Sequence, residues 1–252
     1  DVPTTKPWTT KCFIGTTPSV VALVLCPCVS AQRTQVGGAV TVTNKGISLI
    51  PALTLGKPAA IFDVAITGGA VSFEPQFRFG LDGKPWSFIF WGRYRPLRGG
   101  KLRLTIGAHP SLTFRTATLS TGAETHSAIV TRRYFAGDVY PNYLIAKNLS
   151  VGPYYFYAHG LDPDAFQHTH FVGARANLTS VPVTDQFFFQ FAPQLYYLWM
   201  DRQEGTYATA LLTLANRRLP FSITTLVNSP IQSGIAGGQD FLWNVSLVYS
   251  MR

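Results

Sequence analysis

The chain is poor in cysteine, poor in charge and without a long apolar run. Its cysteines, Cys12, Cys26 and Cys28, fall within one short N-terminal stretch. An odd number clustered so closely makes no disulfide framework, and a Cys-Pro-Cys triplet lacks zinc-knuckle spacing. Free thiols in a reducing compartment are the simplest account. Charged residues are 13% of the 252, against roughly a quarter in ordinary domains. A surface so short of charge is expected to be covered by partners. Residues 20–25 are apolar and mimic a signal-peptide core. Pro27 follows, however, and the run is far too short to span a bilayer as a helix. No other segment approaches a transmembrane helix, and no membrane span is expected. No G-x-S-x-G and no Walker glycine loop occurs, so nucleophile-elbow and phosphate-cradling chemistry have no motif to stand on. The chain reads as a non-enzyme with no cofactor.

What is present is aromatic mass, positive charge and alternation. The formal net charge is +9, which suits an anionic partner. The basic residues form short groups: Arg93, Arg95 and Arg98, then Arg132 and Arg133, then Arg217 and Arg218. Each group reads equally as an RNA contact or as a contact to carboxylates and carbonyls of neighbouring subunits.

Residues 85–109 are the centre of the pattern. Trp86, Phe88, Phe90, Trp91 and Tyr94 lead through Gly99-Gly100 into Leu102, Leu104 and Ile106 at period two. That period marks a half-buried strand. Similar alternation recurs at Phe73, Phe77 and Phe79, at Phe187, Phe189 and Phe191, and from Phe241 to Tyr249. Gly, Pro and Asn-rich breaks separate the runs, so the fold class is all-β, a sandwich or barrel. At most, residues 86–94 or 194–200 form a turn or two of helix. Residues 136–184 read as a long excursion with short strands. Residues 1–36 lack a period and read as an extended arm; residues 37–252 form the β domain.

Three features in order resemble coat proteins of picorna-like viruses, the group including picornaviruses, dicistroviruses, iflaviruses and secoviruses. They are Phe88-Ile89-Phe90-Trp91 followed by Arg98-Gly99 and Leu102-Arg103-Leu104, then the strand ending at Pro193 before Tyr196-Tyr197, then Ala236-Gly237-Gly238-Gln239-Asp240-Phe241. The resemblance implies an eight-stranded antiparallel jelly-roll sandwich. Its strands would lie near 40–54, 60–79, 101–107, 126–135, 186–192, 206–214, 220–227 and 239–249. It further implies a capsid subunit cut from a polyprotein, which would account for Asp1. Such a subunit assembles with sister coat proteins in an icosahedral shell around single-stranded RNA. It is found in the virion and, during assembly, in host cytoplasm, and a host receptor is a possible partner.

Two other readings stay open. A secreted carbohydrate-binding β-sandwich would use exposed Trp and Tyr to stack on sugars. An enzyme or metal site would use the run holding His159, Asp162, Asp164, His168 and His170. His168 and His170 share a strand face, and two imidazoles with a carboxylate can hold a metal. The same histidines suit a pH sensor, and Asp-Pro-Asp reads equally as a plain turn.

Overall fold

The computed structural model describes residues 34–121 and 124–251. The alternating runs become twelve strands. These are β1 (Gln35–Thr43), β2 (Ala59–Gly68), β3 (Val71–Gly80), β4 (Pro85–Leu97), β5 (Leu102–Thr121) and β6 (Glu124–Ala146). The rest are β7 (Leu149–Gly160), β8 (His168–Pro182), β9 (Phe187–Met200), β10 (Gln203–Asn216), β11 (Phe221–Ser233) and β12 (Leu242–Met251). Each pairs with the next in chain order, and β1 pairs antiparallel with β12, closing a barrel. Closure gives every strand two neighbours and removes the free edges of an open sheet.

Connections alternate between two ends. The short end carries residues 69–70, 98–101, 147–148, 183–186 and 217–220, along with Gln35 and Met251. The long end carries residues 44–58, 81–84, 161–167, 201–202 and 234–241. The turn after β3 needs Gly83, whose φ of 79° lies in the left-handed region.

Register decides which face is which. Tyr155, Val172 and Tyr197 align across β7, β8 and β9. Leu214, Ile223 and Leu247 align across β10, β11 and β12. All six are exposed on the outside. Their neighbours Tyr154, Phe171 and Tyr196 point inward and pack together. The charged strand residues Asp63, Glu74, Arg78, Arg93, Arg95, Arg103, Asp138 and Arg175 take the inward phase of the same alternation, whereas Arg133 and Glu204, both toward the long end, take the outward phase. Among the described residues, the middle of the outer face carries no charge.

Proline interrupts the wall at one side. Pro141 and Pro153 flank a gap in the β6–β7 pairing, and Pro193 sits in a gap between β8 and β9. A ring nitrogen cannot donate to a ladder. Gly152 fits there because a Cβ would collide with the Pro141 carbonyl.

The inside of the long end is filled by residues 44–58. Leu49, Ile50 and Ala52 pack on the cluster of Phe171, Tyr196, Leu198, Met200, Tyr207 and Ile235. Trp86 Nε1 on β4 donates to the Leu53 carbonyl at 2.9 Å, and Tyr196 OH on β9 donates to the Leu49 carbonyl at 2.8 Å. β4 and β9 lie nearly opposite in the ring, so the segment crosses the lumen.

The eight-stranded jelly-roll sandwich is thus overturned: one closed sheet of twelve strands replaces two facing sheets. The strand expected near 40–54 ends at Thr43, and the one near 60–79 is a hairpin, β2–β3. Residues 86–94 and 194–200 are strand, not helix, and the excursion 136–184 is mostly β6, β7 and β8. Interior prolines had disguised those long strands as loops. Residues 1–33 of the expected arm, with the three cysteines, lie outside the described residues, and Gln35 and Val36 already belong to β1.

Tyr196 OH also accepts from Asn228 Nδ2 at 2.9 Å, deep in the interior. Tyr196→Phe removes both bonds and orphans the buried amide. It is expected to cost about 1–3 kcal/mol, checked by urea unfolding of the two proteins side by side.

Candidate functional site

The lumen is organised by an ion network spanning β3 to β7. Arg93 Nη1 donates to both Asp138 oxygens at 3.0 Å, and its Nε donates to Glu74 Oε2 at 3.2 Å. Arg95 donates to Glu74 Oε1 and to Ser72 Oγ, each at 2.6 Å. Tyr154 OH completes the Asp138 shell at 3.2 Å. Arg93 on β4 reaches Asp138 on β6 across β5, because Gly107 lies between them. A Cβ there would meet Asp138 Oδ1, Arg93 Nη1 and the Trp91 ring. With its side chain 2% exposed, Asp138 depends on this pairing, since an unpaired buried carboxylate is costly.

Two further arginines are held differently. Arg78 Nε donates to Gln76 Oε1 at 2.7 Å, and Gln76 in turn donates to Asp63. Arg175 lies over Tyr140 and Tyr154, 4.7 and 5.2 Å from their ring centroids. Among the described residues neither has a carboxylate within ion-pair distance. Both line a cavity of about 440 Å³ beneath residues 47–53. Trp86, Trp91, Phe156 and Phe171 give it apolar walls, and Ser87, Gln194 and Thr209 add polar ones.

The residues singled out from sequence distribute widely. Arg93 and Arg95 belong to the lumen network. Arg98 lies in the short-end turn 98–101, Arg217 and Arg218 in the turn 217–220. Arg217 covers the Phe188 ring, and Arg218 N–H donates to Asn216 Oδ1. Arg132 pairs with Asp164, and Arg133 with Asp162, at the long-end rim. His159, His168 and His170 sit on the outer face near that rim. His168 and His170 lie within hydrogen-bond distance of Tyr157 OH (2.9 Å) and Tyr155 OH (3.0 Å); His159 Nδ1 donates to the Gln167 carbonyl. Tyr157, His170 and Trp199 form a ring ladder, with centroids 4.9 and 5.2 Å apart. Among the described residues no group of three or more His, Cys, Asp or Glu is placed to hold a metal.

Arg78, Arg175, Gln194 and the segment 44–58 escaped the sequence reading. A usable signal was present: Phe77-Arg78-Phe79 and Ala174-Arg175-Ala176 each set a cation between apolar neighbours at period two. Such a cation belongs to the face opposite the apolar one.

No family model matches the chain, and no curated protein matches it. Solved structures do match in fold. A NanC porin structure, 11% identical, gives a TM-score of 0.51 over 86% of this chain and all of the porin. An outer membrane channel from Pseudomonas putida F1, 9% identical, gives 0.52 over 86% of this chain and 94% of the channel. The likeness is one of fold: a closed antiparallel barrel.

These findings overturn the coat-protein resemblance and what it implied. A capsid subunit has strand edges and flanks to share with sister proteins; here β1 and β12 consume each other's edges. Single-stranded RNA at an inner shell surface, a host receptor, and residence in the virion or host cytoplasm fall with it. The carbohydrate-binding sandwich falls too, because its two-sheet frame is absent and the outer aromatics sit on an apolar belt. The expectation of no membrane span rested on helix length, and among the described residues no helix is long and apolar enough to cross. That criterion says nothing of strands.

At the rim, Asp162 accepts from Arg133 Nη2 at 2.7 Å and from Arg133 N–H at 2.6 Å. The Arg133 side chain, then its backbone N–H, holds the Asp162 carboxyl below the usual carboxylate range. The sign follows from linkage: a depressed carboxylate adds stability at neutral pH and loses it as pH falls through the depressed value. Asp162→Asn is expected to lower the melting temperature at pH 7, and the gap to the parent protein should close in acid. Melting curves of both proteins across the acid range check this.

Proposed function

We propose that this chain spans a lipid bilayer as an outer-membrane-type barrel and passes small anionic solutes. The observation that carries the reading is the partition of charge between the two faces. In hydrocarbon every backbone group needs an internal partner, which a closed barrel supplies. The outward positions of β9, from Phe187 to Trp199, are apolar or aromatic. A tilted strand crosses the hydrocarbon in about 9–11 residues, so β9 is long enough.

Aromatic residues mark both edges of the belt. Trp199, Tyr157 and Trp243 stand near the long end, and Tyr94, Tyr143 and Tyr249 near the short end. Amphipathic rings favour the level of the headgroups. This explains the chain's small charged fraction better than protein partners do: lipid covers the outer face.

Inside, Arg78, Arg93, Arg95, Arg103 and Arg175 outnumber Asp63, Glu74 and Asp138. A positive lumen with low-dielectric walls concentrates anions and repels cations. Residues 44–58 narrow the passage and set a size limit. The chain acts as a conduit in this reading, and no residue is assigned a catalytic role.

Purified barrel in planar bilayers under a potassium chloride gradient is expected to show a zero-current potential of anion-selective sign. Arg103→Glu is expected to reduce that selectivity. Cation selectivity in the parent protein, or no conductance at all, would contradict the reading. A second outcome tests orientation. Ala210→Arg, at the middle of β10 on the outer face, is expected to cost about 2–4 kcal/mol in bilayers. Thr213→Arg, on the lumen face, is expected to cost less; both are read by unfolding from lipid vesicles.

A further inference from the structure

We propose that the cavity beneath residues 47–53 is a binding site for a small amphipathic carboxylate, held by Arg175 and Gln194 with its apolar body against Trp86 and Phe171. The proposal deepens the conduit reading and rests on it for the ligand's route of entry. The binding step itself is independent of conduction.

The first argument is unmet hydrogen-bonding capacity. Arg175 Nε, Gln194 Nε2 and Ser87 Oγ are buried and have no partner among the described residues. All three belong to residues lining this cavity. Gln194 and Ser87 are more than nine-tenths buried. Buried donors are normally paired, and exceptions gathered around one cavity call for an explanation. A ligand acceptor supplies one.

The second argument is register. Arg175 on β8 and Gln194 on β9 are direct cross-strand partners, both on the inward phase. Side chains so paired have Cβ atoms about 4.5–5.5 Å apart. A guanidinium edge beside an amide nitrogen presents adjacent N–H groups, which suits the two oxygens of one carboxylate. Thr209, opposite Gln194 on β10, extends the row, but its hydroxyl is already committed to the Val227 carbonyl.

The third argument is charge. Arg93 and Arg95 are neutralised by Glu74 and Asp138, whereas Arg175 faces the cavity with aromatic rings and no carboxylate. The site therefore holds a positive charge that the protein does not cancel. Trp86, Phe156, Phe171 and Leu211 give the cavity broad apolar walls beside its polar ones, which include Arg78, Ser111 and Thr169. The apolar walls would leave a simple inorganic anion badly solvated and favour one carrying a hydrocarbon or aromatic body. A volume near 440 Å³ falls in the usual range for small-ligand pockets.

The test uses benzoate, its neutral isostere benzamide, and chloride. Calorimetric titration of the full chain in zwitterionic micelles is expected to show saturable benzoate binding near one equivalent. Benzamide and chloride are each expected to bind at least tenfold more weakly. Gln194→Glu keeps the side chain's shape but sets a carboxylate beside Arg175, and is expected to weaken benzoate at least tenfold. Arg175→Gln is expected to do the same and Arg175→Lys to lose less. Arg98→Gln, in the short-end turn and outside the cavity, should leave binding unchanged. Each variant is first shown to melt as a folded barrel. If benzoate fails to saturate, if benzamide binds as well, or if folded Gln194→Glu binds benzoate normally, the site is overturned. Anion-selective conductance without saturable benzoate binding would overturn the site and leave the conduit standing. Benzoate binding in micelles by a barrel that does not conduct would support the site and end the conduit reading.

Discussion

The pairing of β1 with β12 is the constraint on which the rest depends. Six residue pairs, from Gly38 with Met251 to Thr43 with Ser246, turn a meander into a ring. Without them both terminal strands would expose a row of unpaired amides and carbonyls. Such an edge is a liability in water and prohibitive in hydrocarbon. With them, an inside is defined, and period-two alternation sorts the side chains between an inner and an outer face. Apolar residues outside and arginines inside are therefore one fact of geometry, not two.

Inside that ring the protein must still manage its own charge. Gly107 is the clearest sign of how it does so. By lacking a side chain it lets Arg93 and Asp138 meet across an intervening strand, so a cation and a buried carboxylate satisfy each other. Arg78 is steadied by the Gln76–Asp63 relay, and Arg175 by two tyrosine rings. The lumen thus combines neutralised arginines, which hold the wall together, with arginines whose charge stays available.

Much of the local structure was legible in the chain. Leu102, Leu104 and Ile106, and the alternation through Phe241 to Tyr249, announce strands, and Gly83 and Gly99-Gly100 announce turns. What alternation cannot reveal is its own direction. A face bearing Phe187, Phe189 and Phe191 looks the same whether it meets another sheet or a lipid tail. The polar face separates the two folds, because Arg78 and Arg175 share an inner face that a closed barrel provides as a lumen and a packed sandwich does not. Pro141 and Pro153 hid strand length, since a proline argues against a central strand and here lies in two of them. The cavity was not legible at all. It exists because residues 44–58 turn inward, and their anchors Trp86 and Tyr196 are remote in sequence.

That remoteness has a consequence for assembly. Residues 44–58 leave the end of β1, the strand that seals the ring, and are fastened to Trp86 on one wall and Tyr196 on the other. The Trp86 anchor lies within reach of β2 to β4 alone, but the Tyr196 anchor, on β9, is reached only once the far half of the sheet stands in place. Contacts so distant in sequence carry a large loop-closure cost and tend to form late. The nascent barrel would accordingly pass through a hollow stage, with its crossbeam lowered last.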